Sequence, residues 1–261
     1  MKRLLLLSLV ALTSHASVFA EQSLSDQQIQ AVLSDQDRPA EDNKRDQARR
    51  PAKVLAFTDV AAGDHVLDLF AGGGWYTELF AKSVGQSGKV YAQNDAVIWR
   101  FAEKGITERT KNNRLSNVVR FDKMPIVDMT IPDESLDIAF IALNYHDLFF
   151  THTTQDGKTT KLRDKIVDYK AALAIVKLAL KDDGTFIIID HAAKLGSGYE
   201  AANTLHRIDP NIIKFHLEEA GFVLTEEAFY LRNPADDLSK SVFAPEIRGN
   251  TDRFIYKFAK K

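Results

Sequence analysis

Val66-Leu67-Asp68-Leu69-Phe70-Ala71-Gly72-Gly73-Gly74-Trp75-Tyr76-Thr77-Glu78-Leu79-Phe80-Ala81 is the stretch whose reading decides the fold. Val66, Leu67 and Leu69 make a short apolar run that Asp68 interrupts, which reads as a buried strand. Gly72, Gly73 and Gly74 then take the side chain from successive positions. Backbone without Cβ atoms turns tightly and lets a ligand approach closely. Thr77, Leu79, Phe80 and Ala81 resume at helical spacing. The free N–H groups of that helix start point at whatever lies over the glycines.

Working outward, Lys89 to Gln93 reads as a second strand ending at Asn94-Asp95, and Asn117 to Phe121 as a third, followed by Asp122. Leu136 to Asn144 is almost continuously apolar, as a parallel strand covered on both faces should be. It runs straight into Tyr145-His146-Asp147. A fifth strand, Thr185 to Ile189, ends in Asp190-His191. Lys161 to Leu180 reads as a helix before it, and Thr151 to Thr160 as a polar loop. His206-Arg207-Ile208-Asp209-Pro210 opens a helix that Gly221 closes. Phe222 to Tyr230 and Arg253 to Phe258 read as final strands. The connector between them, Leu231 to Asp252, has the length of a lid or mobile binding loop.

The strand–glycine–helix stretch resembles the cofactor motif of class I S-adenosylmethionine-dependent methyltransferases: acidic Asp68, three residues, then Gly72-x-Gly74. Phe70 stands where that family often has a further glycine. The resemblance covers most of Pro51 to Lys261. It implies a Rossmann-like, doubly wound, mostly parallel seven-stranded sheet with a C-terminal antiparallel hairpin, and S-adenosylmethionine as cofactor. The implied cofactor contacts are Asp68, Ala71, Gly72, Gly73 and Gly74 at the turn, with Asn144 at the fourth strand end. Either Asn94 or Asp95 would meet the ribose, since Asn94 aligns with the family's acidic position and Asp95 follows it. Asp122 would meet the adenine amino group.

Ligands of open α/β sheets bind outside the carboxyl ends of the strands, so the ionisable residues there are the candidate chemistry. His146 is the first choice for a general base and His191 the second, because imidazole titrates near neutrality. Tyr145 would face the reacting methyl. Asp147 and Asp190 would orient an imidazole, and Arg207 would hold an anionic group of a small-molecule acceptor. A divalent ion held by these His, Asp and Asn groups is a competing reading, but no tight ligand spacing marks a metal site.

The chain has 261 residues, 45% of them hydrophobic, enough for one domain with a substantial core. Its net charge of -2 points away from nucleic acid. With no cysteine, thiol nucleophiles, disulfides and thiolate metal sites are excluded. Met1 to Ala20 has the basic start, short apolar core and small-residue end of a secretory signal peptide, cut before Glu21. No stable membrane insertion is expected after cleavage, and the location expected is periplasmic in a Gram-negative source, or secreted. Glu21 to Arg50 reads as a polar extension, a solvated helix or loop leading into the domain. Export sits awkwardly with a cofactor made in the cytosol. The alternative is therefore an exported nucleoside- or small-molecule-binding protein on a non-catalytic methyltransferase scaffold. Oligomeric state is not legible.

Overall fold

The structure is a computed structural model that describes residues 22–155 and 157–261. The leader at Met1 to Ala20, and the bond after it, lie outside these residues. The chain runs α1 (Asp26–Leu33), α2 (Ala40–Arg49), α3 (Pro51–Thr58), β1 (His65–Leu69), α4 (Trp75–Val84), β2 (Lys89–Asn94), α5 (Ala96–Thr110) and β3 (Val118–Asp122). It continues β4 (Leu136–Ala142), β5 (His152–Gln155), β6 (Lys158–Lys161), α6 (Tyr169–Ala179), β7 (Leu180–His191), α7 (Glu200–Thr204), α8 (Pro210–Glu219), β8 (Phe222–Ala228) and β9 (Arg253–Lys260).

Seven strands form one sheet in the order β3-β2-β1-β4-β7-β9-β8. β1 is parallel to β2 and β4, β3 is parallel to β2, and β7 is parallel to β4. β9 alone runs antiparallel to both its neighbours. The expected doubly wound sheet with its reversed C-terminal hairpin is what the chain builds. Alternation along the strands gives each face its own core. Leu67, Leu69, Ala139, Ile141, Phe186 and Ile188 enter one buried cluster with α6 and α8 residues. Val66, Val90, Ile138, Phe140, Ile187 and Ile189 enter the other with α3 and α4 residues. Each such aliphatic side chain, fully buried, contributes about 1.5–3 kcal/mol.

The segment read as a solvated extension is helical and packed. Ile29 and Val32 of α1 join the same core cluster as Val54, Trp75 and Leu79. Buried Asp42 of α2 accepts from Arg109 Nη1 at 2.7 Å, and Arg109 also pairs with fully buried Glu78. Arg38 and Asp42 are spent inside the molecule, while Glu41, Lys44, Arg45 and Arg50 stay exposed. The polar loop after β4 is instead a hairpin, β5 paired antiparallel with β6 through β-branched Thr153, Thr154, Thr159 and Thr160. It shortens the expected helix to Tyr169–Ala179. The long connector is no loose lid. Fully buried Arg207 ties it down, donating to Asp236 at 3.0 Å and to the Lys240 carbonyl at 2.9 Å. No described helix is long and apolar enough to cross a membrane.

Candidate functional site

The site lies where β1, β2, β4 and β7 end. β1 leaves the sheet through Phe70, at φ 47, and the glycine turn follows. The Gly72 N–H donates to Asn94 Oδ1 at 2.8 Å, and Asn94 Nδ2 donates back to the Gly72 carbonyl at 3.2 Å. Gln93 receives the Phe70 N–H at 3.1 Å. Asn144 Nδ2 reaches the Phe70 carbonyl at 2.5 Å, joining the end of β4 to the turn. The Ala71 N–H donates to the Gln93 carbonyl at 3.0 Å. Asp68 faces α4, where it receives the Thr77 hydroxyl at 2.6 Å. Burial lifts the Asp68 carboxyl to about 7, against the opposing Thr77 hydrogen bond and the charge of Arg49. Asp68 thus braces the turn against its own helix and is 2% exposed.

The three glycines differ in what surrounds them. At Gly74, which caps α4 at φ 81, a Cβ would stand 2.5 Å from Ile106 Cδ1. The turn lies against α5 so closely that a Cβ at Gly105 would stand 2.9 Å from the Gly73 Cα. At Gly72, φ 57, a Cβ would meet nothing within 4 Å. The open side of the cradle is at Gly72, and Gly74 serves helix packing.

The groups expected to meet an adenosine are already engaged. Asn94 is fully buried and holds the turn, which corrects its assignment to the ribose. Asp95 Oδ1 caps α5 through the Val97 and Ile98 N–H groups, and its Oδ2 receives Arg163 Nη1 at 2.6 Å. Asp122, beside Asn94 in the sheet, is paired with Arg120 at 2.6 Å. Two buried donors near this edge have no partner among the described residues: Arg163 Nη2 and Trp99 Nε1. Arg163 also lies 5.9 Å from the Phe70 ring centre, and Trp99 packs near Ala71. Orphaned donors beside a turn with open space suit a polar ligand, because an unmet buried donor is costly. The sequence carried no signal for Arg163, which stands between Lys161 and Lys165 at the start of the segment read as a helix.

The second half of the site is a knot of imidazoles and carboxylates. A short 3-10 turn, His146–Leu148, follows β4. The His146 N–H donates to Asp190 Oδ2 at 2.8 Å, and its Nδ1 lies 2.9 Å from Asp190 Oδ1. Asp190 also receives the His191 N–H at 2.7 Å. His146 Nε2 stands 3.6 Å from Asp147 Oδ1, and His206 Nδ1 stands 4.0 Å from the same oxygen. Burial alone would lower the His146 pKa, but the charges of Asp190 and Asp147 and the Asp190 hydrogen bond raise it to about 9. Burial raises Asp147 to about 6, and burial with the His146 charge lowers His206 to about 3. His191 is held well below its ordinary range, first by burial and then by His146. His146 therefore carries its proton at neutral pH, contrary to the expectation of a base poised near 7.

Three other expectations change. Arg207 points into the connector, fully buried, with all three guanidinium nitrogens bonded to protein; its Nη1 donates to the Ala192 carbonyl at 2.9 Å. Tyr145 turns to the opposite side of the chain from His146, with its hydroxyl 3.2 Å from His216 Nδ1 in an aromatic cluster with Phe149. His191 lies beside His146, ring centres 6.1 Å apart, but its Nδ1 is bound to the Thr251 hydroxyl at 2.7 Å. Thr251 also lines a polar cavity of about 340 Å³ with Arg50, Asn233 and Arg253. Asp190 is the centre of the knot, and His206 completes it, though Arg207 was the more conspicuous residue of that pair in the sequence.

The sequence matches no family model, and no curated protein matches it. Solved structures match in fold. A SAM-dependent methyltransferase from Aquifex aeolicus aligns over 91% of this chain and 100% of its own, with a TM-score of 0.56 at 20% identity. An S-adenosylmethionine-dependent methyltransferase from Mesorhizobium loti aligns over 83% of this chain and 100% of its own, with a TM-score of 0.53 at 14% identity. The fold is that of class I methyltransferases. Each alignment spans the whole of the neighbour's chain.

Proposed function

We propose that this protein transfers a methyl group from S-adenosylmethionine to a small-molecule acceptor, in the cell envelope if the leader read at Met1 to Ala20 acts as one. The observation that carries the reading is the open space over Gly72 at the end of β1, on the same sheet edge as the His146–Asp190 pair. The Gly72 backbone would lie under the cofactor, with Arg163 and Trp99 offering their unmet donors. When bound, the cofactor supplies a sulfonium methyl that reacts by in-line displacement. The chain's part is alignment, which is worth several kcal/mol of the barrier, and control of charge on the acceptor. His146 is locked by Asp190 and already protonated, so it would stabilise negative charge developing on an acceptor oxygen rather than remove a proton.

The test is transfer of labelled methyl from S-adenosylmethionine to host envelope extract, with His146→Ala beside the wild type. We expect turnover to fall by about 100-fold while cofactor affinity barely moves. Equal label transfer by both proteins would sink this placement of the chemistry. A second reading has its own support: Asn94, Asp95 and Asp122 are all engaged by protein partners. On that reading the protein only binds a nucleoside or other small molecule, and wild type transfers no label to any acceptor.

A further inference from the structure

The Asp147 carboxylate is 6% exposed, yet among the described residues it makes no hydrogen bond. Buried carboxylates ordinarily fill their lone pairs with hydrogen bonds; this one has cationic neighbours at a distance and no bond to them. Its nearest polar neighbours are His146 Nε2 at 3.6 Å and His206 Nδ1 at 4.0 Å. Those separations are too long for hydrogen bonds. They are close to what a shared ion produces: ligands at about 2.0–2.2 Å from a metal stand roughly 3–3.5 Å from one another. The ligand atoms of His146, Asp147 and His206 all fall within 4.8 Å of one another.

The three side chains are also presented as ligands are. Asp190 engages His146 Nδ1 at 2.9 Å, which leaves Nε2 to face Asp147. A carboxylate behind the far nitrogen of an imidazole is the common support of a metal-binding histidine. Asp190 is itself fixed by two backbone N–H groups, those of His146 and His191. His206 comes from a different loop, after α7, and holds a left-handed backbone at φ 53, which a side-chain-bearing residue adopts at a cost. It packs edge-on to the His146 ring at 5.5 Å.

We propose that His146, Asp147 and His206 form a binding site for a divalent first-row transition-metal ion, with remaining coordination positions open to a ligand. Two imidazole nitrogens with one carboxylate oxygen suit zinc, iron, cobalt or nickel, and not magnesium or calcium, which take oxygen ligands. His191 stays outside the set, since Thr251 holds its Nδ1. Binding the ion displaces the Nε2 proton of His146, since a ligating imidazole is neutral. That an open position would then receive the acceptor's oxygen, with the ion in the charge-stabilising place of that proton, rests on the methyl-transfer reading above; the binding of the ion does not.

The test uses the purified chain, stripped with chelator and then titrated with Co²⁺ alone, read by metal analysis and by the visible ligand-field bands of cobalt. We expect one equivalent of bound Co²⁺ with an intense visible spectrum. Asp147→Asn and His206→Gln should each abolish the spectrum. Asp190→Asn should keep the bands and weaken affinity by about 10–100-fold, the usual effect of removing a carboxylate behind a ligand histidine. Circular dichroism confirms that each variant is folded, and His206→Gln serves if Asp147→Asn is not. No stoichiometric cobalt in the wild type, or unchanged binding in both ligand variants, overturns the site. Cofactor affinity and label transfer are measured in separate tubes, so failure of methyl transfer would leave a positive cobalt result standing.

Discussion

Asp68 shows how a residue named by its motif can act one step away from the ligand. It is buried and engaged by Thr77, so its work is to hold the turn on α4. Its carboxyl is raised to about 7, above the unfolded value near 4. The native state therefore holds a proton that the unfolded state releases between about pH 4 and 7. This stabilisation is present below the unfolded pKa and is lost as pH rises through 7. Asp68→Asn keeps an acceptor for Thr77 and removes the ionisation. We expect the variant to gain stability of on the order of 2 kcal/mol at pH 8 and to lose this part of the pH dependence. Chemical denaturation at pH 4, 6 and 8 reads it. A variant less stable than wild type at pH 8 would show that ionised Asp68 is better satisfied than its burial implies. The glycines carry a similar lesson. Composition marks Gly72, Gly73 and Gly74 alike, yet only the structure separates open space at Gly72 from the α5 contact at Gly74. Likewise Asn94 and Asp95 stand in the right sequence positions, but Gly72 and Arg163, which engage them, are distant in sequence, while Asp122 is held by its near neighbour Arg120.

Among elements, strands were legible and polar segments were not. β4 and β7 announce themselves because a strand covered on both faces must be apolar throughout. The stretch before Arg50 misleads where its carboxylates meet partners distant in sequence: Asp42 meets Arg109 and Asp35 meets Lys82. Arg109 of α5 donates to Asp42 of α2 and to Glu78 of α4 in a buried cluster, and Arg114 adds a second cation to Glu78 at 2.7 Å. Removing one member leaves charge buried without its partner. Arg109→Leu is expected to cost about 3–5 kcal/mol and to loosen α1 and α2, read as lost amide protection in hydrogen exchange at Ile29 to Val32. A cost below 1 kcal/mol, with protection intact, would mean that the apolar contacts of α1 alone hold these helices. The connector between β8 and β9 misled for the matching reason: its anchor, Arg207, lies outside it, at the end of α7's loop.

At the scale of the whole molecule, the sheet order β3-β2-β1-β4-β7-β9-β8 brings the ends of β1, β4 and β7 together. That places the glycine turn, proposed above as the cofactor's seat, next to a knot of histidines and carboxylates drawn from three loops. The order is one that parallel pairing of apolar strands with right-handed crossovers allows, and the sequence reading reached it through the resemblance of the Asp68 to Gly74 motif to class I methyltransferases. The site's chemistry needed coordinates, because Asp147, Asp190 and His206 meet only after folding. The central claim is that the space over Gly72 binds S-adenosylmethionine. Titration calorimetry of the folded chain with S-adenosylmethionine and S-adenosylhomocysteine tests it directly, with Gly72→Ala as the paired variant. The account predicts saturable one-to-one binding of both ligands by wild type. It predicts an affinity loss of at least about tenfold in Gly72→Ala, beyond the roughly 1–2 kcal/mol of stability that a methyl at this left-handed position costs. No binding heat with either ligand, or equal affinity in a folded Gly72→Ala protein, would contradict it.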